Sequence, residues 1–252
     1  MSKEKKKVFI TGISSGIGQS LAVKLVKDGH QVWGLARRKD SLEELQKNLG
    51  DKLTVSVCDT ANAGETEKVA MEMREKNFMP DVVVLNAAIN PQDVQDGLHF
   101  ENLQQTFRTN LEGSLFWVSE LLPGFLKKRQ GLFIGISSTS ALRPSKNEIA
   151  YPSTKAALSM AFRGLRLNFQ KSGVGFSTVH FGPIATQMWR GKVNFLVPSA
   201  DQAAQFIIST FHKTPSSYFF PLFSTSFLRL TNLLPDKLFS FLSSLLKNKN
   251  GK

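Results

Sequence analysis

Tyr151 and Lys155, four residues apart in the run Tyr151-Pro152-Ser153-Thr154-Lys155, are the pair in this chain best suited to acid–base chemistry. Side chains at this spacing lie on one face of a helix, and proline is tolerated in a first helical turn because no internal donor is lost there. The spacing therefore sets a phenol beside an ammonium. A free tyrosine titrates near ~10. Bringing it to ~7 requires roughly 4 kcal/mol, which is what one cation ~4 Å away supplies at an effective dielectric of ~20. A phenol tuned in this way gives a proton to a carbonyl oxygen or takes one from an alcohol near neutral pH. The pentapeptide alone better suits a packed ring beside a solvated lysine, so the surrounding elements decide.

Those elements alternate between strand and helix. A buried strand is expected over 7–11, running into Thr11-Gly12-Ile13-Ser14-Ser15-Gly16-Ile17-Gly18. The helix that follows carries Ile17, Leu21, Leu25 and Val26 on one side and is closed by Gly29. A strand, a glycine-rich turn and a helix N-terminus together make an anion cradle, since glycine lets the backbone approach and the helix dipole favours phosphate. The second strand, 31–36, ends in Ala36-Arg37-Arg38. An acidic residue holding a free ribose 2′-hydroxyl belongs about 20 residues past the glycines; the arginines found there suit a 2′-phosphate instead. The competing reading is that Arg37 and Arg38 merely face water. Asp40 is assigned to the start of the next helix, because Ser41-Leu42-Glu43-Glu44 has capping-box spacing.

Further along, a strand over 53–58 leads to Asp59 at its carboxyl end, and a helix covers 63–76. The continuous apolar run at 81–86 reads as a fully buried strand, followed by Ala87 and Ala88. One long helix is expected over 103–128 with Asn110 inside it, an odd place for a residue of low helix propensity. A strand at 132–136 then delivers Ser137 and Ser138, and Tyr151 opens the next helix. A strand over 175–180 is followed by Gly182-Pro183-Ile184-Ala185-Thr186. Ser199-Ala200-Asp201-Gln202 caps a helix reaching residue 211, and 218–220 is a last short strand. This order predicts an α/β fold, a doubly wound parallel sheet of about seven strands with helices on both faces.

Bulk properties narrow the function. At 252 residues the chain forms one large domain with a full core. Cys58 is the single cysteine, and His30, His99, His180 and His212 lie far apart, so disulfide stapling and metal chemistry are poor readings. Cys58 reads as a small buried apolar residue, and a reducing compartment, the cytoplasm, is expected. The net charge of +12 invites a nucleic-acid reading. Its lysines, however, crowd the ends, and Lys127, Lys128 and Arg129 close a helix, where cations favour the carbonyl end. No aromatic-interleaved basic element accompanies them, so no nucleic-acid partner is expected. Only Val8-Phe9-Ile10 is apolar near the N-terminus, too short for a signal peptide.

Taken together, these pieces resemble the short-chain dehydrogenase/reductase family over roughly the first 220 residues. The resemblance rests on Thr11-Gly12-x3-Gly16-x-Gly18, Asp59, Asn86-Ala87, Asn110, Ser138, Tyr151-x3-Lys155 and Gly182-x3-Thr186, in the family's order. It implies a Rossmann fold with NADP(H) lying across the carboxyl edge of the sheet. Gly12, Ser14, Ser15, Gly16, Ile17 and Gly18 would cradle its diphosphate, with Arg37 and Arg38 at the 2′-phosphate. Asp59 would lie near the adenine, Asn86, Ala87 and Ala88 along the adenosine, and Ile184 and Thr186 near the nicotinamide. It further implies that Ser138 holds the substrate oxygen, Tyr151 transfers the proton, and Lys155 lowers the tyrosine pKa and holds the nicotinamide ribose. Asn110 would anchor a water that passes protons toward Lys155. The chain departs from the family pattern at Ala88, where a glycine is usual, at Phe181, where a proline is usual, and in lacking the Gly-Gly ending of many tetrameric members.

In place of that ending runs an apolar and basic tail, 221–252. Its Leu238, Phe239, Phe241, Leu242, Leu245 and Leu246 share one helical face. Arg229, Pro235, Asp236 and Lys237 interrupt what a membrane span would need, ~20 apolar residues. The helix either packs on its own domain, pairs two subunits as a homodimer, or lies peripherally on a bilayer with Lys247 and Lys249 at the headgroups. The segment 187–198, with Met188, Trp189, Phe195 and Leu196 beside Arg190 and Lys192, is expected to act as a substrate lid over a mainly apolar carbonyl compound or alcohol. The reading is thus an NADPH-dependent carbonyl reductase or alcohol dehydrogenase. Its alternative is an NADP-binding sensor or scaffold without turnover, attached through the tail to a partner or membrane.

Overall fold

Successive residues of a strand point to opposite faces of a sheet, and β1 (Lys7–Thr11) divides accordingly. Val8 and Ile10 enter one apolar cluster and Phe9 enters the other. The computed structural model describes residues 4–94, 97–143, 148–189, 197–222, 225, 226 and 235. The lid positions 190–196 and the tail face at Leu238, Phe239, Phe241, Leu242, Leu245 and Leu246 lie outside the described residues.

Seven strands form one parallel sheet: β1, β2 (Gln31–Ala36), β3 (Leu53–Val57), β4 (Val82–Leu85), β5 (Gly131–Ser138), β6 (Val174–Phe181) and β7 (Ser217–Phe220). Their order is β3-β2-β1-β4-β5-β6-β7. The chain winds outward from β1 to β3, then crosses back to lay β4 on the other side of β1, with Thr11 opposite Leu85. Where strand order reverses in this way, the connections leave in opposite directions and open a crevice at the carboxyl ends. Helices α1 (Gly16–Lys27), α2 (Lys39–Leu49) and α7 (Ala200–Ser209) cover one face with Leu21, Leu25, Leu42, Leu45 and Ile207. The other face carries α3 (Ala63–Glu75), α5 (Gly113–Lys128) and α6 (Ala150–Asn168), which bury Met73, Trp117, Phe125, Leu158 and Phe162. The doubly wound α/β fold is therefore the one expected.

Several local expectations hold and two are corrected. At the start of α7, Ser199 accepts from the Gln202 backbone and the Gln202 side chain reaches back, the reciprocal cap read from the sequence. The cap proposed at Ser41 does not form. α2 begins at Lys39, with Arg38 at its boundary and no side-chain cap, so Ser41 lies inside the first turn beside Asp40. The earlier start is phased by the burial of Leu42 and Leu45 and accompanied by a Lys39–Glu43 ion pair at 3.6 Å. The single long helix expected over 103–128 is instead α4 (Phe100–Phe107), a π-helical turn over Arg108–Glu112, and α5. The interruption falls on Asn110, whose tertiary bonds are described below. Gly113 permits the helix to approach the loop after β3, since a Cβ there would lie 2.1 Å from Thr60 Oγ1. Among the described residues no helix is long and apolar enough to cross a membrane, and no group of three His, Cys, Asp or Glu side chains is placed to hold a metal.

Candidate active site

The glycine-rich turn leaves β1 directly into the crevice. Gly12 has φ +78°, and a Cβ on it would stand 2.8 Å from the Cα of Ala87; a Cβ on Gly18 would lie 2.1 Å from the Gly12 carbonyl oxygen. The turn is locked from β4. Asn86 Nδ2 donates to the carbonyls of Thr11 (3.1 Å) and Gly12 (2.9 Å), while Thr11 Oγ1 accepts from the backbone N–H of Asn86 and Ala87, both at 3.0 Å. Ser15, at the boundary of α1, makes no side-chain cap, and the first turn holds no acidic residue. The orphan N–H groups that every helix start carries thus stand where Ser15, Gly16 and Ile17 line the crevice. That is a fit for a diphosphate.

Beyond the turn, Arg38 reaches back across it. Its Nη2 donates to Ser14 Oγ (2.9 Å) and Ser15 Oγ (2.6 Å), and its Nε to Ser14 Oγ at 3.2 Å. Arg37 Nη1 lies 3.7 Å from Asp59 Oδ2, so the ends of β2 and β3 offer a cation-rich rim with one carboxylate. Cys58, just before Asp59, is buried, and that burial first, then Glu65 and Asp59, pushes its thiol up to about 12. It is inert packing, not a nucleophile.

The groups expected to handle protons come from β5 and α6. Ser138 ends β5, its hydroxyl accepts from the Ser140 N–H at 3.2 Å, and its position beside Tyr151 favours the charged form of that phenol. Lys155, 2% exposed, donates from Nζ to the Ile136 carbonyl (2.8 Å), and that nitrogen lies 5.5 Å from the centroid of the Tyr151 ring. The expected tuning of the phenol toward neutrality is corrected here. Burial of the hydroxyl, only partly opposed by Ser138 and reinforced by Glu148, pushes Tyr151 up to about 12. Burial also pulls Lys155 down to about 8. The simple charge-pair estimate counted attraction and left out desolvation, which acts on both partners.

Asn110 is fully buried in the π-helical turn and does not line the crevice. Its side chain accepts from Ile89 N (2.8 Å), donates to Ile89 O (2.9 Å) and donates to Thr154 Oγ1 (3.2 Å), which in turn donates to the Tyr151 carbonyl (2.8 Å). Its own carbonyl accepts from Ser114 Oγ at 3.1 Å. Asn110 therefore ties the loop after β4 to the helix of Tyr151. Gly18 likewise lies behind the crevice wall. The other expected site residues, Gly12, Ser14, Ser15, Gly16, Ile17, Arg37, Arg38, Asp59, Asn86, Ala87, Ala88, Ser138, Tyr151, Lys155, Ile184 and Thr186, all line one crevice of about 1480 Å³. That volume exceeds the roughly 300–1,000 Å³ of a drug-sized pocket, leaving room for a dinucleotide and a second molecule.

Among the lining residues without a signal in the sequence are Asn90, Arg143 and Glu148. Asn90 Nδ2 donates to Glu148 Oε1 at 2.8 Å across 58 residues of chain, a pairing that no local pattern announces. Of the expected lid, Gln187, Met188 and Trp189 line the crevice, and the Trp189 N–H donates to Thr186 O at 3.0 Å.

A parallel doubly wound sheet whose switch point holds an uncapped helix start, a tyrosine and a buried lysine defines a nucleotide-binding oxidoreductase class. Residues 6–195 match the short chain dehydrogenase family model, and the chain belongs to that family. Among curated relatives, retinol dehydrogenase 8 of Homo sapiens is 32% identical over 208 residues, covering 80% of this chain and 66% of the relative. Among solved structures, a short-chain dehydrogenase from Streptomyces avermitilis has a TM-score of 0.82 at 24% identity, covering 98% of this chain and 99% of that one. Structural neighbours carry both forms of the nicotinamide cofactor. A serine dehydrogenase complexed with NADP+ has a TM-score of 0.78 at 20% identity, covering 84% of this chain and 93% of that one. A 3-oxoacyl-[acyl-carrier protein] reductase from Brucella melitensis with bound NAD has 0.75 at 19%, covering 87% and 90%.

Proposed function

We propose that this chain is an NADPH-dependent reductase of ketones or aldehydes, working in reverse on secondary alcohols, with Tyr151 as its proton donor. The observation that carries the reading is the convergence of Ser138, Tyr151 and Lys155 on the same crevice as the glycine turn and Arg38. When bound, the reduced nicotinamide supplies the hydride. The residues that would hold the cofactor are Arg38 with Ser14 and Ser15 at the 2′-phosphate, the start of α1 at the diphosphate, Asp59 at the adenine, and Ile184 and Thr186 toward the nicotinamide. Two cationic guanidiniums at the end of β2, where NAD-selective sites place a carboxylate, favour the phosphorylated cofactor. The Arg37–Asp59 contact leaves Arg38 as the principal phosphate ligand.

Ser138 orients the substrate oxygen by hydrogen bonding, and the Tyr151 hydroxyl donates its proton to that oxygen as negative charge develops. A phenol pushed up to about 12 keeps its proton at neutral pH, so it enters the reduction as the protonated donor. Lys155 at about 8 remains mostly charged at pH 7 and offsets the phenolate left behind. Ile89, Pro91, Met188 and Trp189 in the wall suit a mainly apolar substrate.

Thermal unfolding with NADPH and with NADH tests the cofactor. A ligand at about a hundred times its dissociation constant adds roughly 2.7 kcal/mol of stability, so NADPH raises the midpoint well above NADH at equal concentration; equal shifts remove the argument from Arg38. Tyr151→Phe tests the donor. It retains the NADPH shift and loses turnover across a panel of aldehydes and ketones, whereas a rate matching the parent refutes the assignment.

A further inference from the structure

We infer that Asp93 is a positioning residue for Tyr151, its carboxylate clamping the first turn of α6 so that the phenol one residue further on is held against Ser138. The inference rests on the reading of Tyr151 as the proton donor. Asp93 is 1% exposed, which is rare for a carboxylate unless its oxygens are satisfied. Here they are satisfied by the helix itself. Oδ2 accepts from the backbone N–H of Ile149 (3.1 Å) and of Ala150, and Oδ1 also faces the Ile149 N–H at 3.3 Å. Ile149, at the helix boundary, supplies no side-chain cap of its own. The cap comes from 56 residues earlier in the chain. A carboxylate at this place is favoured by the helix dipole and makes charge-assisted bonds about twice as strong as neutral ones.

The same loop is tied at two further points, one on α6 and one just before it. Asn110 joins Ile89 to Thr154, whose hydroxyl donates to the Tyr151 carbonyl, and Asn90 holds Glu148. Asp93 is in turn fixed on its own loop, because its carbonyl accepts from the His99 N–H at 2.9 Å. Of the three ties, that of Asp93 is the one that meets the backbone immediately ahead of Tyr151. Removing it frees the start of α6 while the core of that helix, Leu158 and Phe162, remains packed.

The chain has two tyrosines, Tyr151 and Tyr218, so Tyr218→Phe with ring-13C tyrosine yields one NMR signal that reports the position of the Tyr151 ring at neutral pH. In that background, Asp93→Ala moves or broadens the signal, while NADPH still raises the thermal midpoint. Asp93→Asn, which keeps an acceptor oxygen, restores the parental signal. Asp93→Glu keeps the charge but lengthens the side chain by one methylene, and displaces the signal to an intermediate position; it serves as the test if the alanine variant does not fold. With NADPH and 4-nitrobenzaldehyde, kcat of Asp93→Ala falls by about 100-fold, the scale of a 1 Å misplacement, with KM for NADPH unchanged and rescue in Asp93→Asn. An unmoved signal in both Asp93→Ala and Asp93→Glu overturns the inference, as does a loss of stability in all variants with no change in the signal. A Tyr151→Phe protein as active as the parent overturns the donor reading instead, and leaves the signal shift as a separate result.

Discussion

Replacing Lys155 by methionine turns the buried charge into a measurable stability difference. The fall of Lys155 from 10.5 to about 8 on burial corresponds to about 3 kcal/mol against the charged form in the folded protein. In sign, the unfolded lysine stays protonated up to about 10.5, while the folded one gives up its proton at about 8. Between those values the unfolded state binds more protons, so the parent gains stability as pH rises. Below pH 8 the full cost is present. Lys155→Met removes that cost at neutral pH and loses the bond to the Ile136 carbonyl, worth about 1 kcal/mol. The variant is therefore more stable by about 2 kcal/mol at pH 7, a midpoint about 4–8 °C higher for a chain of this size. Near pH 10.5 the order reverses, and the variant melts below the parent by the lost hydrogen bond. Tyr151, raised to about 12, favours the protonated folded state and lowers stability as pH climbs past 10, but it does so in both proteins and drops out of the difference. Scanning calorimetry of both proteins without ligand from pH 7 to 10.5 checks the claim. A gap between the two midpoints that stays constant over this range refutes the argument that burial holds Lys155 near 8.

Two further outcomes follow from the cofactor rim and the glycine turn. Arg38→Ala weakens NADPH by roughly 10- to 100-fold, the loss of a charge-assisted bond worth about 1.5–3 kcal/mol, and leaves NADH affinity unchanged; fluorescence titration of both cofactors reads the ratio. Gly18→Ala drives a Cβ to within 2.1 Å of the Gly12 carbonyl oxygen, so the turn shifts. Stability falls by about 1–3 kcal/mol, the cost typical of overpacking, and the rise in midpoint with NADPH disappears in a thermal-shift assay.

The order of strands and helices was legible because each buried strand is a short apolar run and each helix carries one apolar stripe. Val82–Leu85 and the stripe of Leu21 and Leu25 are examples. The glycine turn and the Tyr151–Lys155 pair were also readable, since their geometry follows from spacing within one turn or one helix. What escaped was set by distant chain. The start of α2 depended on the packing of Leu42 and Leu45 on the sheet, and this placed Ser41 inside the helix despite a sound local cap pattern. The break at Asn110 depended on Ile89, and Asp93 on a helix start that no local signal connects to it. The titration of Tyr151 was misjudged for a related reason: a pairwise Coulomb estimate uses only the partner visible in the sequence, whereas burial adds the whole surroundings.

The π-helical turn over Arg108–Glu112 has a bearing on how this rod can change. Such a turn absorbs one surplus residue locally, so α4 before it and α5 after it keep the angular phase of an unbroken helix. Deleting Asn110 from the turn would leave Trp117, Val118 and Phe125 seated on the sheet while discarding the amide that grips Ile89. A one-residue deletion further along α5 would rotate the remaining core contacts by about 100°. At this one position, therefore, the loss of a single codon would change how the loop after β4 is tied to α6 without changing which face of α5 meets the sheet.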